Sequence, residues 1–144
     1  MLFFSGIQRD SSKNAKKIIK NINNKYNVLN EMKNQVSEAK KILHSKKNIN
    51  DFGKLLNESW KLKKSLTKTI TNSKIDEIYS NAISSGAIGG KILGSGNGGF
   101  LLFFVPKKNQ KKLISKFNKL LHVPFKFDYS GSKIIFNGLK NEKK

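Results

Sequence analysis

Apolar residues recur at steps of three or four along the first third of the chain, at Ala15, Ile18, Ile19, Ile22, Tyr26, Leu29, Met32, Val36, Ala39 and Leu43. That spacing places them on one face of a 3.6-residue helix, and a single long amphipathic helix is predicted, with Ser11 or Ser12 as its N-cap. Before it, residues 2–7 read as a strand that begins directly after Met1 with no earlier element to pair with it, the look of a chain cut from a longer one. The polar stretch 45–50 breaks the helix. A second is predicted over 51–66, with Phe52, Leu55, Leu56, Trp60 and Leu62 toward the core, Trp60 as a packing residue. Ser73 followed by Asp76 has the form of a capping box, and Ile75, Ile78, Tyr79, Ala82 and Ile83 form the stripe of a short third helix that Gly86 closes.

Beyond Gly86 the pattern changes period. A strand is predicted near 87–93, then a glycine-rich turn, then a second strand over 100–105 whose unbroken apolar run implies burial on both faces. Pro106 ends it. A fourth helix over 107–121 carries Leu113, Ile114, Phe117, Leu120 and Leu121, and Val123, Phe125, Phe127 and Tyr129 then alternate as a strand. Ser130-Gly131 turns the chain into 133–136, and 137–144 is a frayed basic tail. Strands separated by helices and joined by a tight turn predict an α+β domain over 1–136, with a mostly antiparallel sheet of about four strands and helices packed on one face.

Composition alters this picture in one respect, the charge. A net charge of +20 points by itself to nucleic acid or another anionic surface. Every basic residue except Arg9 is lysine, however, whereas base-edge and phosphate recognition favours the planar fork of arginine. The lysines are spread over every predicted helix and accompanied by 17 asparagines, the bias of an AT-rich coding sequence, so no nucleic-acid partner is expected. Against that background Arg9 reads either as a bidentate ligand for phosphate or carboxylate or as an unpartnered surface residue. There is no cysteine, and His44 and His122 lie far apart, so no metal site is expected. No apolar run is long enough to span a bilayer, and the chain is read as cytoplasmic with no membrane partner. Asp51, Glu58, Asp76 and Glu77 fall in helical segments where capping or solvated pairing accounts for them, so no catalytic residue is assigned.

Gly94-Ser95-Gly96-Asn97-Gly98-Gly99 satisfies G-x-G-x-x-G. Glycines at this density let backbone N–H groups converge on an anion without a Cβ in the way, but they also serve a hairpin that binds nothing. A dinucleotide fingerprint must lead from strand into helix, and here the strand 100–105 follows. A Walker A loop needs a closing Lys and Ser or Thr, which are absent. A protein-kinase glycine loop needs H-R-D and D-F-G segments, absent as well.

The longer stretch Gly86-Ala87-Ile88-Gly89-Gly90-Lys91-Ile92-Leu93-Gly94-Ser95-Gly96-Asn97-Gly98-Gly99-Phe100 closely resembles the third conserved motif of the GHMP kinases, the family of galactokinase, homoserine kinase and mevalonate kinase. Asp51-Phe52-Gly53-Lys54-Leu55-Leu56-Asn57-Glu58-Ser59-Trp60, Ile75-Asp76-Glu77-Ile78-Tyr79 and Pro124-Phe125-Lys126-Phe127-Asp128-Tyr129-Ser130-Gly131-Ser132 look like its D-glycero-D-manno-heptose 7-phosphate kinase branch. Ser5-Gly6-Ile7-Gln8-Arg9 is similar to the strand opening that branch's carboxy-terminal domain.

The resemblance implies a ferredoxin-like carboxy-terminal domain of an enzyme that moves the γ-phosphoryl of ATP, with Mg²⁺, to the anomeric hydroxyl of a sugar phosphate. It further implies that the phosphate loop, metal ligands and catalytic residues belong to an amino-terminal half that these residues do not contain, so that the chain alone is inactive. Gly94, Ser95, Gly96, Asn97, Gly98 and Gly99 would then border the ATP site through their backbone. Arg9 and Lys91 would face the acceptor, with a solvated lysine the other reading of Lys91. Asn97 departs from the glycine usual at its position, although asparagine tolerates left-handed backbone.

Overall fold

A computed structural model describes residues 1–8, 11–20, 22–45 and 48–136. The sequence periodicities become β1 (Leu2–Phe4), α1 (Ser11–Lys20), α2 (Tyr26–His44), α3 (Asn50–Leu66), α4 (Ser73–Ser84), β2 (Gly89–Ile92), β3 (Phe100–Phe104), α5 (Lys107–Lys116) and β4 (Leu121–Val123). Short 3-10 turns at Ile22–Lys25 and Lys68–Ile70 precede α2 and α4.

The four strands form one sheet in the order β2-β3-β1-β4, every neighbour antiparallel, with Phe3 opposite Leu101 and His122 and Ile92 opposite Leu101. This is the β-α-β-β-α-β succession of a ferredoxin-like fold with four helices in the first connection, an α+β domain as expected. Because side chains alternate across a strand, Phe3, Ile92, Leu101 and Phe103 share one face. They join Trp60 of α3, Ile75, Ile78 and Ala82 of α4, Leu113 of α5 and Phe117 just past its end in a single buried cluster. The Phe3 ring meets Phe117 edge-on at 5.1 Å, an arrangement that adds quadrupole attraction to area burial.

Helix α3 lies hard against β2, since a Cβ on Gly89 would stand 2.0 Å from the Gly53 carbonyl oxygen. From there α3 reaches round the sheet edge, where Phe52 approaches Phe104 at 6.4 Å.

Several sequence expectations are corrected. The long first helix is two, α1 and α2, separated by the Ile22-Asn23-Asn24-Lys25 turn, where a β-branched residue and two asparagines weaken the helix despite the unbroken apolar spacing. The first strand stops at Phe4, and Gly6 takes a left-handed φ of 72° that bends the chain away. The cap of α4 is Asn72 rather than Ser73: its Oδ1 accepts from the Ile75 N–H at 3.0 Å, while Asp76 accepts from the Thr71 hydroxyl. Gly86 does close α4, with Gly86 N–H donating to Ile83 and Ala87 N–H to Ala82, the paired bonds of a Schellman motif.

β3 is fully buried on one face only: Leu101 and Phe103 are sealed, while Phe100 on the other face is 40% exposed. Helix α5 ends at Lys116 instead of 121, because Leu121 pairs with Phe4 in β4 and so satisfies the outer edge of β1. Phe125, Phe127 and Tyr129 form no strand and stand exposed. The tail 137–144 lies outside the described residues. No described helix is long and apolar enough to cross a membrane.

Candidate functional site

The glycine turn connects the hydrogen-bonded neighbours β2 and β3, and the Leu93 N–H donating to the Phe100 carbonyl at 2.8 Å closes its base. Gly94, Gly96, Asn97, Gly98 and Gly99 all have positive φ. Gly96 shows why the turn needs glycine: φ is 99°, and a Cβ there would sit 2.6 Å from the Ile70 carbonyl oxygen. The space beneath the turn is therefore filled by the 3-10 turn before α4.

Three supports hold it. The Asn97 N–H donates to the Ile70 carbonyl at 2.6 Å, and the Asn72 side-chain amide donates to Asn97 Oδ1 at 2.8 Å. Asn72 thus caps α4 with its oxygen and grips the turn with its nitrogen. On the second side the Gly99 N–H donates to Ile7 and the Ser5 N–H to Gly99, both at 2.9 Å. On the third, the Lys63 ammonium donates to the carbonyls of Ile92 at 2.9 Å and Gly94 at 2.6 Å. Lys63 is only 9% exposed, so these charge-assisted bonds form away from competing water.

Asn97, with φ of 63°, occupies the left-handed region that asparagine tolerates, and its side chain makes a bond that glycine could not. The N–H groups of Asn97 and Gly99 are committed to protein carbonyls.

Of the other site residues named from sequence, only Lys91 can be placed, and it does not join this turn. Arg9 lies outside the described residues. Lys91 points to the sheet face opposite Ile92, where its ammonium donates to Ser59 Oγ at 2.9 Å and burial lowers its pKa. It lines a cleft between α2 and α3 to which no residue of the turn contributes. Lys63 and Asn72 were not singled out from the sequence. Lys63 could have been, since it falls three residues after Trp60 and three before Leu66, on the stripe that α3 buries. His44 and His122 remain apart, the first exposed against its own helix, the second beside Phe3. Among the described residues, no group of three or more His, Asp or Glu side chains could hold a metal ion.

The fold, the hairpin turn and the helix pair ahead of it agree with one family. Residues 36–123, more than half of the chain, match the family described as GHMP kinases C terminal, and the chain belongs to that family. Among individual proteins, it is 40% identical over 72 residues to the D-glycero-alpha-D-manno-heptose 7-phosphate kinase of Campylobacter jejuni, covering 48% of this chain and 21% of the relative. It is 34% identical over 104 residues to the galactokinase of Clostridium tetani, covering 65% of this chain and 26% of that one. The mevalonate kinase of L. major, solved with R-mevalonate, superposes with a TM-score of 0.70 over 82% of this chain and 37% of its own length. At 18% identity that match speaks for the fold alone. The chain spans about a fifth to a quarter of the length of the curated relatives it matches.

Proposed function

We propose that this chain is the carboxy-terminal portion of an ATP-dependent sugar kinase that phosphorylates D-glycero-D-manno-heptose 7-phosphate at its anomeric hydroxyl, the glycine turn forming one wall of the nucleotide site. The observation that carries the reading is the turn itself: a backbone loop of left-handed residues held from three sides, within a family whose named relatives are kinases. Phosphoryl transfer is catalysed by positioning and charge stabilisation, so a rigid backbone wall beside the phosphates suits the role. ATP supplies the transferred phosphoryl and Mg²⁺ would neutralise its oxygens. Because the described carboxylates form no metal-binding group, we assign the metal's ligands to none of them and place them in an amino-terminal portion of the enzyme. Arg9 is assigned to the acceptor's distal phosphate.

A second reading, a galactokinase, is favoured by the galactokinase relative aligning with more of the chain than the heptose kinase relative does. Both are tested by one chimera, in which residues 1–144 replace the corresponding portion of the Campylobacter jejuni enzyme. A folded chimera should transfer phosphate from ATP to D-glycero-D-manno-heptose 7-phosphate and leave galactose untouched. Turnover of galactose alone would select the second reading. A folded chimera inactive on both sugars would sink the sugar-kinase assignment.

A further inference from the structure

The cleft between α2 and α3 is separate from the glycine turn and has the makeup of a small-molecule site. Its volume is about 330 Å³, near the lower end for pockets that bind small ligands. Val36, Leu55 and Leu56 supply apolar wall, and polar character is confined to Gln35, Ser59 and Lys91. Two of those groups are electrostatically incomplete. The Lys91 ammonium is half-buried and donates to Ser59 Oγ, yet no carboxylate among the described residues pairs with it. Among the described residues, no hydrogen-bond donor meets the buried Gln35 Oε1. A cation taken from water without a counter-charge and a buried acceptor without a donor both cost free energy that a suitable ligand would recover.

We propose that this cleft binds a small aliphatic 2-hydroxy monocarboxylate, its carboxylate on Lys91, its hydroxyl donating to Gln35 Oε1 and its chain against Val36, Leu55 and Leu56. One lysine and one serine suit a monoanion. A phosphate dianion calls for more donors, such as an arginine fork, and the walls here offer none. No residue of the glycine turn lines the cleft, so the ligand is assigned the role of an effector or stabiliser. The site is independent of the kinase reading, and its failure would leave that reading untouched.

The test is calorimetric titration of the 144-residue chain with 2-hydroxyhexanoate, hexanoate, hexan-1-ol and inorganic phosphate, with methyl NMR locating the shifts. The hydroxy acid should bind roughly 2- to 10-fold more tightly than hexanoate, the value of one hydrogen bond to a buried acceptor. Hexan-1-ol and phosphate should give no saturable heat. Gln35→Met should abolish the preference for the hydroxy acid, and Lys91→Met should weaken both acids at least about tenfold, one charged hydrogen bond. Equal binding of acid and alcohol, a preference that survives Gln35→Met, or no acid binding at all would overturn the proposal. Gln35 is only partly buried on α2 and methionine keeps its length, so that variant keeps the test decisive even if Lys91→Met fails to fold.

Discussion

Replacing Lys63 by methionine would test whether the ammonium under the glycine turn holds the hairpin together. Methionine keeps most of the aliphatic stem packed in place and removes the donor. Two charge-assisted bonds are lost, to Ile92 and Gly94, at about 1.5–3 kcal/mol each in gross terms. Against this, the variant no longer takes an ammonium out of water, a penalty of several kcal/mol for a deeply buried ion. The carbonyls left behind differ. Gly94 is exposed and its oxygen rehydrates readily, whereas Ile92 is sealed and its oxygen is left without the Lys63 donor, at a cost of about 1–3 kcal/mol. The net expectation is destabilisation by about 2 kcal/mol. Trp60 is the only tryptophan and 1% exposed, so its fluorescence during urea unfolding reports global stability directly. With a slope of about 1–3 kcal/mol per molar for a domain of this size, the midpoint should fall by roughly 1 M. Hydrogen exchange at Asn97 and Gly99 should accelerate along with it. Lys61→Met, which removes an exposed pair with Glu58, should move the midpoint little. A Lys63→Met midpoint no lower than that of Lys61→Met would refute the reasoning.

The remaining predictions concern the same framework. Gly96→Ala forces a side chain into a left-handed φ and against the Ile70 carbonyl, and should cost about 3 kcal/mol by denaturant unfolding. Asn72→Ala removes both the α4 cap and the grip on Asn97 and should cost about 2 kcal/mol. Asn97→Gly loses only the second bond while relieving the left-handed residue, and should lie within about 0.5 kcal/mol of the parent; equal losses for the two variants would show that the pair does not hold the turn. Tyr79, whose hydroxyl donates to Asn57 at 2.6 Å, has its pKa raised by burial to about 12. Its ordinary value is 10.0, so the unfolded chain releases this proton first, and the contribution is complete below pH 10 and lost toward pH 12. Urea midpoints should decline through that window, and Tyr79→Phe should remove this part of the decline.

The helices of the domain were largely legible because burial imposes a period. The α3 and α4 stripes and the strand-turn-strand around Gly94 to Gly99 could be placed from apolar spacing and glycine alone. What spacing could not show was where a helix loses its hydrogen bonds while its apolar face continues, as at Ile22–Lys25, or where an apolar residue leaves one element for another, as Leu121 does. Val123, Phe125, Phe127 and Tyr129 alternate perfectly, but only Val123 finds a strand to pair with. The supports of the turn were less visible. Lys63 and Asn72 act through bonds to residues about thirty and twenty-five positions away, so local sequence hides them unless a polar residue on a buried stripe is taken as a signal in itself.

The strand order also governs when the sheet can form. β1 is an inner strand, yet both its partners, β3 and β4, are made last, Phe3 meeting Leu101 on one side and His122 on the other. At about 5–20 residues per second, the ribosome takes roughly 5–20 s to deliver β3 after β1. During that interval Leu2-Phe3-Phe4 lacks both of its neighbours in this sheet, while α1 to α4 already have local contacts to make. The sheet therefore closes in a late step, joining segments that emerge far apart in time: β1 gains its first partner with β3 and keeps one edge open until Leu121–Val123 has cleared the exit tunnel.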